Sequence, residues 1–535
     1  MWSRQRTHLT VAALAVVLVA ASCATPQSGG SNNGNSATDI VLGVGNEPDT
    51  LNPILGYAPD GSAKIFDGLV SYDADLDLVP ALARELPEAS DNGTTYTYTL
   101  RDDVKFHDGH RLTSSDVAFT YRKVLDDDVS SSIASDFDAI ENIETPDEET
   151  VVFHLSYPYA PFPKRTTLGI VPKHKLAGTD IDSADFNRDP VGTGPYKVAD
   201  WRSGDRLVLK ANKHYWGGTP AVERVTVSFI PDDDTRAARL SSGDLDGAAL
   251  PPKLARTFEG DSGNDQNLTV LQRDTADYRG IVMPMNNPVT SERAVRRAMN
   301  IGTNRKAMVN GLLLGHGQPA YGPLPPEDPW YNAKIEQSYS PERARRLLEN
   351  AGWQQGSEGI RVKDGTPARF TLMYPAGDNL RKNLAITFAD QMEKLGIEVE
   401  RRGLDWEAIT PRMDEDALVY GTGSPYDPDF VVYGIYYSKV AGEGLLNPGG
   451  YHNPRADAAI EQGRHSASPE KRKAAYRKLQ QIQKRDPAMI FLVYLEHLYV
   501  LRDDTWTGIK PQREPHAHGL LHGPWWNLAD WKPQA

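Results

Sequence analysis

The sequence predicts an α/β protein of more than one domain. At 535 residues the chain exceeds what one hydrophobic core sustains, so two or three domains are expected. Residues 370–374, 380–395 and 397–399 read as strand, helix and strand, with Gly396 closing the helix. That βαβ order implies parallel sheet and a right-handed crossover. Residues 95–124 read as a separate strand–turn–helix unit.

At the N-terminus, Arg4 and Arg6 precede an apolar run from Leu9 to Ala21, of signal-peptide length. Ala20, Ala21 and Ser22 lead to Cys23, the only cysteine. This resembles a bacterial lipobox, with Ala20 where Leu is usual. The resemblance implies a signal peptide at 1–22, lipidation of Cys23, and a flexible tether at 23–38, rich in Ser, Asn and Gly. An ordinary signal peptide followed by a stray cysteine is the other reading. No later stretch is long and apolar enough to cross a bilayer.

Residues 39–45 form a short buried strand, stopped by Pro48 and Pro53. Thr and Tyr alternate over 95–100 as a strand. Turns follow at Asp102-Asp103 and Asp108-Gly109, where glycine accepts a positive φ. Thr113 opens a helix with Asp116 as its capping-box partner; Val117, Tyr121 and Val124, with Phe119 alongside, give it an apolar side. Residues 150–155 are an alternating strand, ended by Pro158, Pro161 and Pro163. Gly192 and Gly194 allow a tight backbone crossing; a nucleotide loop is rejected because Pro195 follows directly and no Lys-Ser/Thr accompanies them. A strand at 225–230 precedes a helix from Asp234 to Leu240 that ends at Gly243, and 280–285 is apolar. Helices follow at 292–300, at 304–314 with Thr303 as N-cap, and from Ser340, with Pro341 at its first position and Gly352 after it. In the last of these Ala344, Leu347, Leu348 and Ala351 share one face. Ser468 caps a helix reaching Lys484, and 489–501 is a long apolar strand.

Composition narrows the function. Hydrophobic residues make up 39% of the chain and aromatics are spread throughout, so it is globular. The net charge is −14, and becomes −16 once residues 1–22, with Arg4, Arg6 and no acid, are removed. Such a protein is a poor nucleic-acid binder, because phosphate contacts need a basic surface. There is no G-x-S-x-G or H-E-x-x-H motif, and no cysteine in the folded body to act as nucleophile. Asp232–Asp234 reads as a solvated turn that caps a helix. His516, His518 and His522 would suit nickel, copper or zinc, or else belong to a packed loop anchored by Trp525, Trp526 and Trp531. Tail histidines together with the three aspartates would make an extracytoplasmic metal-dependent hydrolase, the alternative of another class.

From Leu100 to Val117 the order L-R-x-x-V-K-F-H-D-G-x-x-L-T-x-x-D-V closely resembles the signature of the family 5 solute-binding proteins, the peptide- and nickel-binding receptors of ABC importers. Further stretches fit in family order: E-P-x-x-L-x-P from Glu47, K-I-F-D-G-L-V-S from Lys64, G-x-G-P-Y from Gly192 with the run from Trp201 to Trp216, and R-x-x-x-L-x-x-G-D-x-D from Arg236. The resemblance implies a two-lobed periplasmic-binding-protein-like fold of type 2 with an extra α/β subdomain. Lobe I would be 39–80, 189–278 and 489–535, the subdomain 81–188, and lobe II 279–488. A short peptide or peptide-like solute would bind between the lobes, and a membrane permease would recognise the closed form. It further implies a monomer without cofactor or catalysis, held at the outer face of the cell membrane by its lipid.

In this family the segment containing Glu47 lies near the cleft, and a D-P element, here within Gly423-Ser-Pro-Tyr-Asp-Pro-Asp429, lies in a cleft loop. Peptide-binding members place an Asp four residues before that Pro to pair with the α-ammonium. Ser424 stands there, and a hydroxyl lacks the charge-assisted bond worth roughly 1.5–3 kcal/mol. P-Y-D-P resembles the nickel-chelate branch instead, yet Thr422 and Asp429 stand where that branch has Trp and His. Peptide and nickel chelate therefore both stay open as ligands. Ser424, Tyr426, Asp427 and Asp429 are candidate contacts; Asp427 either replaces the anchor or orders its own turn. Tyr374, Trp406, Tyr426 and Tyr436 either stack on a ligand or fill the core. Lys105, His107 and Asp108 read as turn and packing residues.

Overall fold

One mixed sheet of eleven strands dominates the described residues, which in this computed structural model are 38–259, 267–442, 444–502, 504–516 and 520–534. Ten strands lie in the order Glu398–Leu404, Arg369–Pro375, Ala417–Thr422, Leu268–Val282, Met489–Arg502, Gly247–Leu250, Asp39–Val44, Arg224–Phe229, Arg206–Ala211, Tyr196–Arg202. Gly317–Pro319 also pairs with Met489–Arg502. The two longest strands, Leu268–Val282 and Met489–Arg502, run antiparallel and serve both halves of the sheet. Leu498–Leu501 pairs with Gly247–Leu250 at one end, while Tyr278–Val282 pairs with 418–422 at the other. The register between the two long strands breaks between Asp274 and Tyr278. Met489–Leu495 is buried throughout, as a strand covered on both faces must be, which is why it reads as one apolar run.

The βαβ expectation holds: Arg369–Pro375 and Glu398–Leu404 pair in parallel with helix Asn379–Glu393 between them. The apolar stretch at 280–285 begins as the far end of the strand Leu268–Val282. Helix Pro341–Asn350 starts at the Ser340 cap as expected. Helix Arg305–Leu312 corrects the Thr303 cap. Asn304 accepts from Ala307 N at 3.1 Å, whereas Thr303 is buried and donates its hydroxyl to Met299 O at 2.7 Å. A side chain back-bonded to the preceding turn is no longer available as a cap.

A second, antiparallel sheet takes the order Ala89–Ser90, Thr95–Thr99, Thr150–Leu155, Ile140–Glu144. Helix Ser114–Val124 covers it, with the capping box in place: Thr113 N donates to Asp116 Oδ2 at 2.9 Å. Tyr121 meets Phe153 and Phe137 edge-on at 4.9 and 5.3 Å between ring centres. This layer shares one apolar cluster with the large sheet, running from Ile40 through Tyr96 and Phe153 to Val227 and Trp531. Gly192 makes the close crossing read from the sequence, since a Cβ there would lie 2.0 Å from Ile65 O. Among the described residues no helix is long and apolar enough to cross a membrane. Cys23 and His518 lie outside the described residues.

Candidate functional site

Segments far apart in sequence line a cavity of about 530 Å³, inside the roughly 300–1,000 Å³ typical of small-molecule sites. Asp49 to Asp60 and Tyr72 form one wall, and Ser132 to Phe137 with Lys164 to Leu168 another. Ser424, Tyr426 and Phe430 face them, and Pro515, His516 and His522 complete the lining. Local sequence fixes each wall. Asn52 caps the single turn Pro53–Leu55 by accepting from Ile54 N at 3.1 Å, and Gly56 closes it at φ +95°. The prolines that end the 150–155 strand open the short helix Phe162–Arg165, which carries Lys164 and Arg165. Asp427 Oδ1 accepts from Asp429 N at 3.0 Å, turning the chain from the 423–428 loop into helix Asp429–Tyr436.

The walls touch one another. Tyr72 stacks on Tyr426 with ring centres 4.2 Å apart, and Tyr426 donates its hydroxyl to Asp60 at 3.4 Å. Lys164 Nζ donates to Tyr426 O. Arg165 lies 3.5 Å over the Phe430 ring and pairs with Asp136 at 2.7 Å. Burial pushes the Asp136 carboxyl up, against the pull of Arg165. Burial also acts to raise Asp60, but His522, Ser62 and Lys64 outweigh it and hold its carboxyl below the usual range. Carboxylates and cations thus both line the cavity.

Of the residues singled out in the sequence, Ser424, Tyr426, His516 and His522 line this cavity. His516 Nδ1 sits 2.7 Å from Asp277 Oδ1, a carboxylate–imidazole contact that fixes the ring. The other candidates are placed elsewhere, for physical reasons. Glu47 accepts from Trp201 Nε1 at 2.7 Å and Gly204 N at 2.6 Å, tying its loop to the Tyr196–Ala211 hairpin. Tyr374 packs along its strand against Gly403, and Trp406 is 41% exposed at the start of a short helix. Asp427 is buried against Arg472 at 2.6 Å, and Asp429 against Arg464 at 2.7 Å with Tyr159 and Tyr476. Both carboxylates are engaged by internal partners, and Asp427 also orders its own turn, the other reading the sequence left open. Tyr436 is core. Asp232 caps its helix, accepting from Thr235 N at 2.8 Å, as the capping reading expected, and Asp233 in addition pairs with Arg236. In the tail, Trp525 and Trp531 are buried anchors, while Trp526 is half-buried.

Sequence reasoning missed Asp60, Asp136, Lys164 and Arg165. The one signal was the Lys164-Arg165 pair directly after three prolines; the aspartates had none among 72 acidic residues.

Residues 77–443 match the model of the bacterial extracellular solute-binding proteins, family 5. Protein XP55 of Streptomyces lividans is 47% identical over 504 residues, which cover 94% of this chain and 92% of that protein. The crystal structure of NikZ from Campylobacter jejuni in complex with Ni(L-His) superposes with a TM-score of 0.85 at 30% identity, covering 93% of this chain and 100% of that one. AppA from Bacillus subtilis, in complex with a nonapeptide, gives a TM-score of 0.81 at 28% identity, over 93% and 99%. The chain belongs to family 5 of the bacterial extracellular solute-binding proteins. It has the periplasmic-binding-protein-like α/β fold of that family and is a transport receptor, not an enzyme. The hydrolase alternative is set aside by that membership.

Proposed function

We propose that this protein captures a short peptide or peptide-like solute in the 530 Å³ cavity and presents it to the permease of an ABC importer. The observation that carries this reading is the lining itself. Asp49 and Asp60 stand on one wall and Lys164 and Arg165, the latter paired with Asp136, on another, around a volume suited to a solute of a few residues, so carboxylates and cations both lie within reach of a zwitterion. In this reading 39–80, 189–278 and 489–535 form one lobe, 81–188 the subdomain and 279–488 the other lobe. Closure bends the paired strands where their register breaks. Cys23 carries the lipid that holds a monomeric receptor at the outer face of the cell membrane.

A nickel chelate is the second reading, favoured by two cavity-lining imidazoles, His516 and His522, and by the Asp277 carboxylate that orients the first. Native mass spectrometry of protein purified from its host separates the readings, because a peptide adduct and a nickel adduct differ in mass. A peptide adduct supports the first reading. A nickel adduct lost on His516→Ala replaces it.

A further inference from the structure

The loop at the heart of the family signature carries a feature that solute binding does not use. Among the described residues, Asp108, His110 and His174 alone bring three metal-ligating side chains together with all ligand atoms within 4.8 Å of one another. Two imidazoles converge on one carboxylate. His110 Nδ1 lies 3.1 Å from Asp108 Oδ1, and His174 Nε2 lies 2.7 Å from Asp108 Oδ2. The two rings stack with centres 3.9 Å apart.

The backbone holds this arrangement from both sides. Gly109, at φ +92°, makes the turn, and Asp108 Oδ1 accepts from His110 N at 3.2 Å. Buried Phe106 meets the His174 ring edge-on at 5.9 Å. Lys173 N donates to the capping carboxylate Asp116 at 2.9 Å, anchoring the short helix Lys173–Leu176 that carries His174. His107, next in sequence, takes no part. It is turned inward onto Gly194 O and Gly192 N at 3.0 and 3.2 Å. One cation opposes a metal: Lys175 Nζ stands 3.3 Å from Asp108 Oδ2.

We propose that Asp108, His110 and His174 form a surface site for a borderline divalent transition metal, with zinc, nickel and copper as the class that two imidazoles and one carboxylate select. The site is not among the residues that line the cavity, so it binds metal independently of the solute. Three protein ligands leave coordination positions for water. Lys175 must swing away on loading and so weakens the site.

Titration calorimetry of the purified full chain with ZnCl2, and separately NiCl2, tests this. One binding event is expected, weakened about tenfold or more by His110→Ala and by His174→Ala. Lys175→Ala should tighten it, a gain that a general loss of folding cannot mimic. The side chain of His110 is 62% exposed, so its removal leaves the fold intact. His516→Ala should leave this event unchanged, which separates the site from the nickel-chelate reading of the cavity. Absence of metal binding at millimolar ZnCl2 and NiCl2, or binding unaltered in the His110→Ala/His174→Ala double variant, overturns the proposal.

Discussion

Arg464 joins Asp138 at 3.0 Å across 326 residues of sequence, while its other terminal nitrogen holds the fully buried Asp429 at 2.7 Å. Tyr157 accepts from the same guanidinium at 2.9 Å, and the Tyr433 ring lies 3.8 Å beneath it. Asp138 and Tyr157 belong to the layer of the antiparallel sheet, Arg464 and Asp429 to the helices beside the cavity loop. One side chain therefore clasps the antiparallel layer to the helix that follows the 423–428 loop.

Arg464→Ala should destabilise the protein by about 3–5 kcal/mol, because it strands Asp429 as an unpaired charge in the interior. The Asp138 side chain is 39% exposed, so Asp138→Asn should cost about 1 kcal/mol or less. Urea unfolding midpoints measure both; equal losses would mean that the burial of Asp429 does not set the cost.

Stability should fall as pH rises from about 6.5 to about 9. Burial alone would lower His497, but its bonds to Asp277 at 3.2 Å and Glu514 at 2.7 Å outweigh this and raise it from an ordinary value near 6.5 to about 9. A group raised in the folded state contributes fully below its unfolded value and loses that contribution as pH climbs through its folded value. His516, on the same Asp277, is pushed down by burial and acts below this window. Unfolding free energies across pH 6 to 10 should show the decline in the natural protein and a flatter profile in His497→Gln.

Ser424→Asp should strengthen binding of peptides with a free N-terminus by roughly tenfold to a hundredfold, the effect of about 1.5–3 kcal/mol from a charge-assisted bond. Calorimetry with short peptides, each with free and acetylated N-termini, gives the answer. Equal affinities for the two forms would place the peptide terminus away from Ser424.

Gly192→Ala should lower stability by about 1–3 kcal/mol or more, since the added methyl would meet backbone at 2.0 Å rather than a yielding side chain. Gly109→Ala, where nothing lies within 4 Å of the added Cβ, should pay only for its positive φ. Thermal unfolding of the two variants compares close approach with backbone conformation.

The framework was legible because it is written in local chemistry. The Thr113–Asp116 capping box, the Ser340-Pro341 start and the apolar run from Met489 each act within a few residues, and each element stands where its signal lies. The site was legible only in part. Ser424 and Tyr426, which line the cavity, were singled out because they sit in a recognisable loop. Asp427 and Asp429 share that loop but are claimed by Arg472 and Arg464, which are 45 and 35 residues further on. No local pattern says which carboxylate an arginine will reach. Asp60 and Asp136 became cavity residues only through the folding of distant segments against each other.

Met489–Arg502 lies between Gly247–Leu250 and Leu268–Val282 in the large sheet and also pairs with Gly317–Pro319. Among the described residues the two parts of the sheet join only through this strand, which follows every other strand of the sheet in the chain. Until it forms, Gly247–Leu250 and Leu268–Val282 lack their shared neighbour, and the pairings it makes join segments far apart in the chain, the slow kind to form. That strand therefore sets when the two parts of the sheet become one.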